Sequence, residues 1–266
     1  MKRSFGDTAL GQVHFVDAGP PSPTPIVLLH QTPRSIDEFR DVIPLLARTR
    51  RVLAIDTPGY GCSDPVPEQP TIAQYAAAVA SVLDQAGVET ACMAGHHTGG
   101  VIAAEMAAAH PHRVAKVVIS GPVFVDAEVR AALGKLFVQW RVQPDGSHLL
   151  EKWRKLQGWT KDPALVQRLA LDSFRAGERS EQGHLAVAAY RMEDRLPLVR
   201  CPALLIYGSR DPFADPAKCR PLREAFREVR EVTLEGSVFL PEEAPGAFAA
   251  AVLEFHASSA AEAFLE

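Results

Sequence analysis

Two adjacent histidines, His96 and His97, stand among small residues in the string Ala94-Gly95-His96-His97-Thr98-Gly99-Gly100, directly after Cys92-Met93. Imidazole is the side chain whose charge changes closest to neutral pH, so such a pair suits a general base, a nucleophile or a metal ligand. A third histidine, His30, closes the apolar run Ile26 to Leu29, and Asp211 follows the run Leu204-Leu205-Ile206-Tyr207-Gly208. On paper, His30, His96 and His97 with help from the Asp211 carboxylate make a metal site. Adjacent side chains at a strand end point apart, however, so His96 and His97 do not converge on one ion, and neither a metal nor an organic cofactor is expected. Cys62, Cys92, Cys201 and Cys219 lie far apart with no CxxC pair. They read as small core or loop residues rather than a disulfide framework, a zinc knuckle or nucleophiles.

The elements that must position these groups are strand-sized apolar runs, PIVLLH, RVLAID, ACMAGH, VAKVVIS and PALLIYG, each ending in turn residues and separated by helical patterns. Such alternation implies a mostly parallel sheet covered on both faces. TIAQYAAAVASVLDQAG has helical spacing and stops at Gly87, VIAAEMAAAHP is a helix closed by Pro111, and a helix from about Pro245 to His256 precedes a short alanine-rich tail. From about Val125 to Arg200 the alternation breaks. This stretch is helical in period, richer in Trp, Arg, Lys and Gln, and punctuated by Gly134, Gly146, Gly158 and Gly177. The fold class is therefore α/β, with a twisted sheet flanked by helices, a core built from residues 1–124 and 201–266, and a helical cap inserted at 125–200.

A chain of 266 residues that is 47% apolar supports one sizeable domain. With 32 acidic against 28 basic residues and no basic window, nothing in it attracts nucleic acid or anionic lipid. The start MKRSFGDTALGQVHFVDAG lacks the apolar stretch of a secretory signal. No run approaches the roughly 20 residues that span a bilayer. The expectation is a cytoplasmic monomer or homodimer that handles a small molecule, without membrane or nucleic-acid partners.

Four ordered segments resemble the α/β-hydrolase superfamily, especially its compact capped members, over nearly the whole chain outside the cap. Leu28-Leu29-His30-Gln31-Thr32-Pro33 is similar to the family's His-Gly turn. The resemblance makes the Thr32 N–H one half of an oxyanion hole. Ile55-Asp56-Thr57-Pro58-Gly59-Tyr60-Gly61-Cys62-Ser63-Asp64 is similar to a loop near the active-site floor. Met93 to Gly100 resembles the nucleophile elbow, a tight strand-to-helix turn that lifts one side chain into the pocket. Here that side chain is His97, and Thr98 supplies the second oxyanion N–H. Leu205 to Pro212 matches the strand end that carries the triad acid, which implies Asp211. The family's catalytic histidine lies five residues before the glutamate of an E-x-P motif. In this chain the motif is Glu243-Ala244-Pro245, and counting back reaches Val238.

The resemblance thus implies a scaffold from which both the serine and the histidine of a Ser-His-Asp triad are missing. In that triad the acid orients a histidine that takes the serine proton. With Val238 leaving the space opposite Asp211 vacant, His97 is expected to reach into it and form a His97–Asp211 dyad. A water activated by His97 would attack an ester, lactone or activated ketone of small, largely apolar shape, with Thr32 and Thr98 holding the oxyanion. The same base in a dry pocket would serve a lyase, isomerase or cyclase, and histidine can itself be a nucleophile. A catalytically silent member that binds a small ligand is the remaining reading.

Other residues have weaker expectations. Asp126, after the sixth strand, is a fallback acid or a polar residue that starts the cap. His148 and His184 either swing over the pocket or sit on the cap surface. Trp140, Trp153 and Trp159 divide between cap core and pocket wall, with Trp140, Trp153, Val238, His30 and Gln31 taken as the substrate-binding set. Gln31 replaces the family's glycine and faces either the pocket mouth or outward. His14, His110, His112 and His256 have no expected chemical role.

Overall fold

Eight strands make one sheet in a computed structural model that describes residues 1–137 and 139–258. They are β1 (Lys2–Thr8), β2 (Gly11–Ala18), β3 (Ile26–Leu29), β4 (Val52–Ile55), β5 (Ala91–His96), β6 (Val114–Ser120), β7 (Ala203–Gly208) and β8 (Val229–Leu234). Their order across the sheet is β1-β2-β4-β3-β5-β6-β7-β8. β1 pairs antiparallel with β2, and β2 with β4, while every pairing from β4 through β8 is parallel.

The helices before the sixth strand are α1 (Ile43–Leu46), α2 (Ile72–Gln85) and α3 (Thr98–Ala109). Between β6 and β7 come α4 (Ala127–Leu136), α5 (Ser147–Trp159), α6 (Pro163–Ala176), α7 (Gln182–Ala188) and α8 (Met192–Arg195). The chain continues with α9 (Arg220–Ala225), α10 (Leu240–Glu243) and α11 (Pro245–Ala257). The alanine-rich tail lies outside the described residues. Among the described residues no helix is long and apolar enough to cross a membrane.

The central strands β3, β4, β5 and β7 are buried along their whole length, which is why their sequences are apolar on both faces. Alternation sorts them into two layers. Val27, Leu29, Leu53 and Met93 pack with α2 and α3 on one face. Ile26, Leu28, Val52 and Cys92 meet α1 and α11 on the other. α2 opens on a reciprocal capping box between Thr71 and Gln74. α3 is buried from Thr98 to Ala108, and its glycines and alanines let it lie close against the sheet.

Gly146 (φ 74°) and Gly177 (φ 64°) do punctuate the helical insertion, one before α5 and one at the end of α6. Gly134 and Gly158, by contrast, lie inside α4 and α5. A Cβ at either would meet only open space, so these are exposed helical positions, where glycine costs about 1 kcal/mol relative to alanine without ending the helix.

Charge fastens the insertion to the sheet. Arg34, in the turn after β3, is fully buried; it pairs with Asp172 of α6 and donates to Glu242 of α10 at 2.6 Å. Ser35 adds a bond to Asp172 at 2.9 Å, and Arg168 bonds Asp37 at 2.7 Å. Beside them Glu38 accepts the Gln31 N–H at 2.8 Å, but among the described residues its Oε1, 3.8 Å from His96 Nε2, has no hydrogen-bond partner, nor does Glu242 Oε2. Burial, with Glu242 as the nearest repelling charge, pushes the Glu38 carboxyl well above its ordinary value. A carboxyl raised on folding gives its full stability below its unfolded value and loses it as pH rises through the folded one. Glu38→Gln should therefore melt higher than wild type at pH 8 and lose that advantage by pH 4. Thermal melts of both proteins across this range check it.

Candidate active site

The turn from β5 into α3 forces His97 to φ 46° and ψ −112°, and among the described residues it is the one non-glycine with positive φ. Such a conformation costs about 1–3 kcal/mol and persists only where its surroundings impose it. Here the His97 N–H donates to the Ser120 carbonyl at 2.8 Å, and the His97 carbonyl accepts from Val101 at 3.1 Å. Glycines make the crossing possible. A Cβ on Gly95 would collide with the Gly99 carbonyl, and one on Gly99 with the Leu29 carbonyl. The His97 ring lies over Gly121, whose added Cβ would come within 2.6 Å of Nε2. Gly121→Ala should thus push the imidazole away while also straining a residue at φ 61°. We expect at least a tenfold loss of kcat/KM and a lower melting temperature, read by steady-state kinetics and thermal melts.

His97 Nε2 lies 2.9 Å from Asp211 Oδ2 at the end of β7. The two atoms are close but poorly aligned, and among the described residues neither has another hydrogen-bond partner. Such contacts are often loose in empty sites and tighten around substrate. Burial works against ionisation of Asp211, but the His97 contact and the Phe213 N–H, 2.9 Å from Oδ1, hold the carboxyl below its ordinary value. The acid is therefore ready as an anion to orient a ring that carries its proton on Nε2.

Val238 does not leave a void. Its side chain joins Leu165, Leu169 and Phe239 in a small apolar cluster, and its carbonyl accepts from His96 Nε2 and Gln31 Nε2, both at 3.0 Å. Because a carbonyl only accepts, His96 carries its proton on Nε2, and Nδ1 takes the Ser120 hydroxyl at 2.9 Å. Burial first, then the neighbouring His97, lowers the His96 pKa to about 3, so it stays neutral. It is a strut between β6 and the Val238 turn, 4.6 Å ring to ring from His97.

His30 is likewise committed. Nδ1 donates to the Gln31 carbonyl at 2.8 Å, and Nε2 accepts the Thr57 N–H at 3.0 Å, which locks the two family-like loops together. Its expected substrate contact is therefore corrected to a structural one. With His30 and His96 saturated, the structure does not bring His30, His96 and His97 onto one ion. His14, Asp56 and Cys62 do place three ligand-type atoms within 4.8 Å of one another, but Asp56 is already held by His14 at 2.7 Å and by the backbone N–H groups of Ile36 and Cys62. Thr32 and Thr98 are buried, and among the described residues neither backbone N–H has an acceptor, as an oxyanion hole needs.

A small, mostly apolar cavity of about 130 Å³ opens beside these groups, lined among others by Gln31, Thr32, Val238 and Phe213. Gln31 thus faces inward. Phe213, one of the lining residues, packs edge-on against the His97 ring at 6.4 Å. Of the tryptophans, Trp159 is in the wall, 5.7 Å from Phe213. Trp140 and Trp153 are not. Trp140 instead donates to Ser180 at 2.7 Å and stacks on His148, whose Nδ1 accepts from the Gln143 N–H. Asp126 caps α4 through the Val129 N–H. His184 does line the cavity, with Lys152 and Phe137. Phe213, Lys152 and the Glu181 partner of His184 escaped sequence reasoning; the i, i+3 spacing of Glu181 and His184 was the available signal.

A model of the alpha/beta hydrolase fold family matches residues 24–147. The chain is 33% identical to a haloalkane dehalogenase of Mycobacterium marinum over 239 residues, 81% of this chain and 78% of that protein. It is 27% identical over 223 residues to the dihydrolipoyllysine-residue acetyltransferase component of the acetoin cleaving system of Pseudomonas putida, covering 80% of this chain but spanning only 59% of that protein. The enol-lactonase of Burkholderia xenovorans LB400, at 21% identity, superposes with a TM-score of 0.77 over 96% of this chain and 100% of its own, and so shares the fold. The sheet order, the strained turn at His97 and these likenesses lead to one conclusion: the chain belongs to the α/β-hydrolase fold family.

Proposed function

We propose that the protein is a hydrolase of a small, largely apolar ester, lactone or activated ketone, with His97 as general base, Asp211 as its orienting partner, and the Thr32 and Thr98 N–H groups as oxyanion donors. One observation carries the reading: a histidine at the elbow contacts the family's acid at 2.9 Å where Val238 replaces the usual histidine. With Nε2–H toward Asp211, Nδ1 is the acceptor. It takes a proton from water, the oxygen attacks the carbonyl carbon, and the oxyanion is held by two N–H groups. Collapse then expels the leaving group, which takes the proton back from His97. The relatives named as hydrolases support the reaction class, and residues 125–200 serve as the cap that closes the cavity.

The mostly apolar wall favours a second reading, in which no water enters and His97 removes a proton from carbon. Short nitrophenyl esters, lactones and activated ketones turned over in deuterium oxide enriched in oxygen-18 distinguish the two. Label in the acid product supports hydrolysis. Deuterium exchange into an unhydrolysed ketone, without label, replaces it by proton-transfer chemistry.

A further inference from the structure

Three charged or titratable groups in the helical insertion converge at the end of the cavity formed by α5 and α7. Glu181 is nearly buried and sits outside the cavity wall. Its Oε2 holds His184 Nδ1 at 2.7 Å, and its Oε1 holds Lys152 Nζ at 3.5 Å. Both partners line the cavity. One carboxylate behind the wall therefore ties together a lysine and a histidine that both line a space whose apolar wall includes Phe137, Leu156, Trp159 and Phe213. The His97–Asp211 mechanism uses none of these three groups. Glu181 meets the Lys152 ammonium from one side only, and the carboxylate shared between lysine and histidine leaves Lys152 donors and His184 Nε2 without a further hydrogen-bond partner among the described residues.

We infer that Lys152 and His184, both anchored by Glu181, form a subsite for a carboxylate, and that the natural substrate is a ring-sized apolar molecule bearing one acidic group. This deepens the hydrolase reading and rests on it for turnover, but not for binding. Size agrees: a cavity of about 150 Å³ takes up benzene, and this one measures about 130 Å³. Position agrees as well, because Gly183, beside His184, touches Thr32: a Cβ there would collide with Thr32 Oγ1. A ligand held by His184 therefore extends past the expected oxyanion turn.

Charge balance fixes the protonation step. In the empty site Lys152⁺ and Glu181⁻ cancel, and His184, with Nδ1–H donated to Glu181, offers only the Nε2 lone pair. Burial lowers the His184 pKa despite Glu181, with His97 and Lys152 adding to the fall, so the ring starts neutral. When a carboxylate enters, a proton from solvent goes to Nε2. The closed site then holds two cations and two anions. The other charges in or near the wall do not change this sum: Arg34 is spent on Asp172 and Glu242, and Lys155 acts on Glu181 from outside.

Calorimetric titration with benzoate and benzamide tests the subsite. Wild type should bind benzoate at least tenfold tighter than benzamide at pH 6, and benzoate affinity should fall as pH rises toward 8 while one proton is taken up. Lys152→Met should lose at least tenfold in benzoate affinity and keep its benzamide affinity, which also shows that it is folded. His184→Phe should flatten the pH profile, whereas His97→Ala should keep benzoate binding and its fall with pH, with the midpoint moved upward because His97 no longer disfavours the protonated His184 ring. Equal binding of acid and amide by wild type overturns the proposal, as does benzoate affinity unchanged in Lys152→Met. Because His97→Ala reads turnover separately from binding, failure of the subsite and failure of the dyad give different patterns.

Discussion

His97→Ala should lower kcat/KM on any substrate the protein hydrolyses by about 100- to 10,000-fold, the range by which a positioned general base accelerates such reactions. Asp211→Asn should approach this loss, since the Phe213 N–H claims the amide oxygen and the NH2 left facing Nε2 is a donor where the ring needs an acceptor. The two effects should not add, because the residues act as one unit, so the double variant should be little worse than His97→Ala. Steady-state kinetics of the three variants reads this directly, and full activity in His97→Ala removes the mechanism. A constructive counterpart exists. Restoring serine at the elbow and histidine opposite the acid, as His97→Ser with Val238→His, rebuilds the usual order of side chains. That double variant should recover activity that His97→Ser alone lacks, provided the new ring turns toward Asp211 and not into the apolar cluster with Leu165 and Leu169 where the Val238 side chain sits.

Arg34→Met should destabilise the fold by about 3–5 kcal/mol, because it strips the counter-charge from two buried carboxylates at once. Asp172 and Glu242 are raised by burial even with Arg34 in place. Without it they must fold protonated. A group whose pKa is raised on folding loses its stabilising contribution as pH rises, so the deficit should be larger at pH 8 than at pH 5. Urea unfolding at the two pH values measures it. Adding Asp172→Leu and Glu242→Met to Arg34→Met should recover part of the loss, since replacing a whole buried ion network with apolar side chains is often neutral or stabilising. A deficit that does not vary with pH would mean Arg34 acts through packing rather than charge.

The parallel strands were legible because burial on both faces demands uninterrupted apolar runs, and PIVLLH and ACMAGH can hardly be anything else once helices separate them. β1, β2 and β8 were harder. β8, VREVTL, lies at a sheet edge and is at most half-buried, so it carries no such run. The glycines at 134 and 158 misled for a related reason: glycine marks a turn only where the backbone needs positive φ, and there the helix simply continues in solvent.

In the site, the division is by range of interaction. The strand-to-helix turn at His97 was readable because Gly95, Gly99 and Gly100 encode a local backbone crossing, and Asp211 was singled out by the resemblance of Leu205 to Pro212 to a family strand end. The roles of His30 and His96 as struts were not, since both depend on partners far along the chain. Trp140 and Trp159 look alike in sequence, and only the packing of α5 and α7 decides which one reaches the cavity. By itself the sequence determined the fold family and that the side chain at the strand-to-helix turn is a histidine, His97. The tertiary structure alone decided that the His97 ring lies 2.9 Å from Asp211, that the Val238 backbone is tied down by His96 and Gln31, and that Glu181 pairs with Lys152 and His184, which line one cavity. Local backbone geometry is encoded within a few residues, whereas distances between side chains on separate elements are set only when the whole core packs.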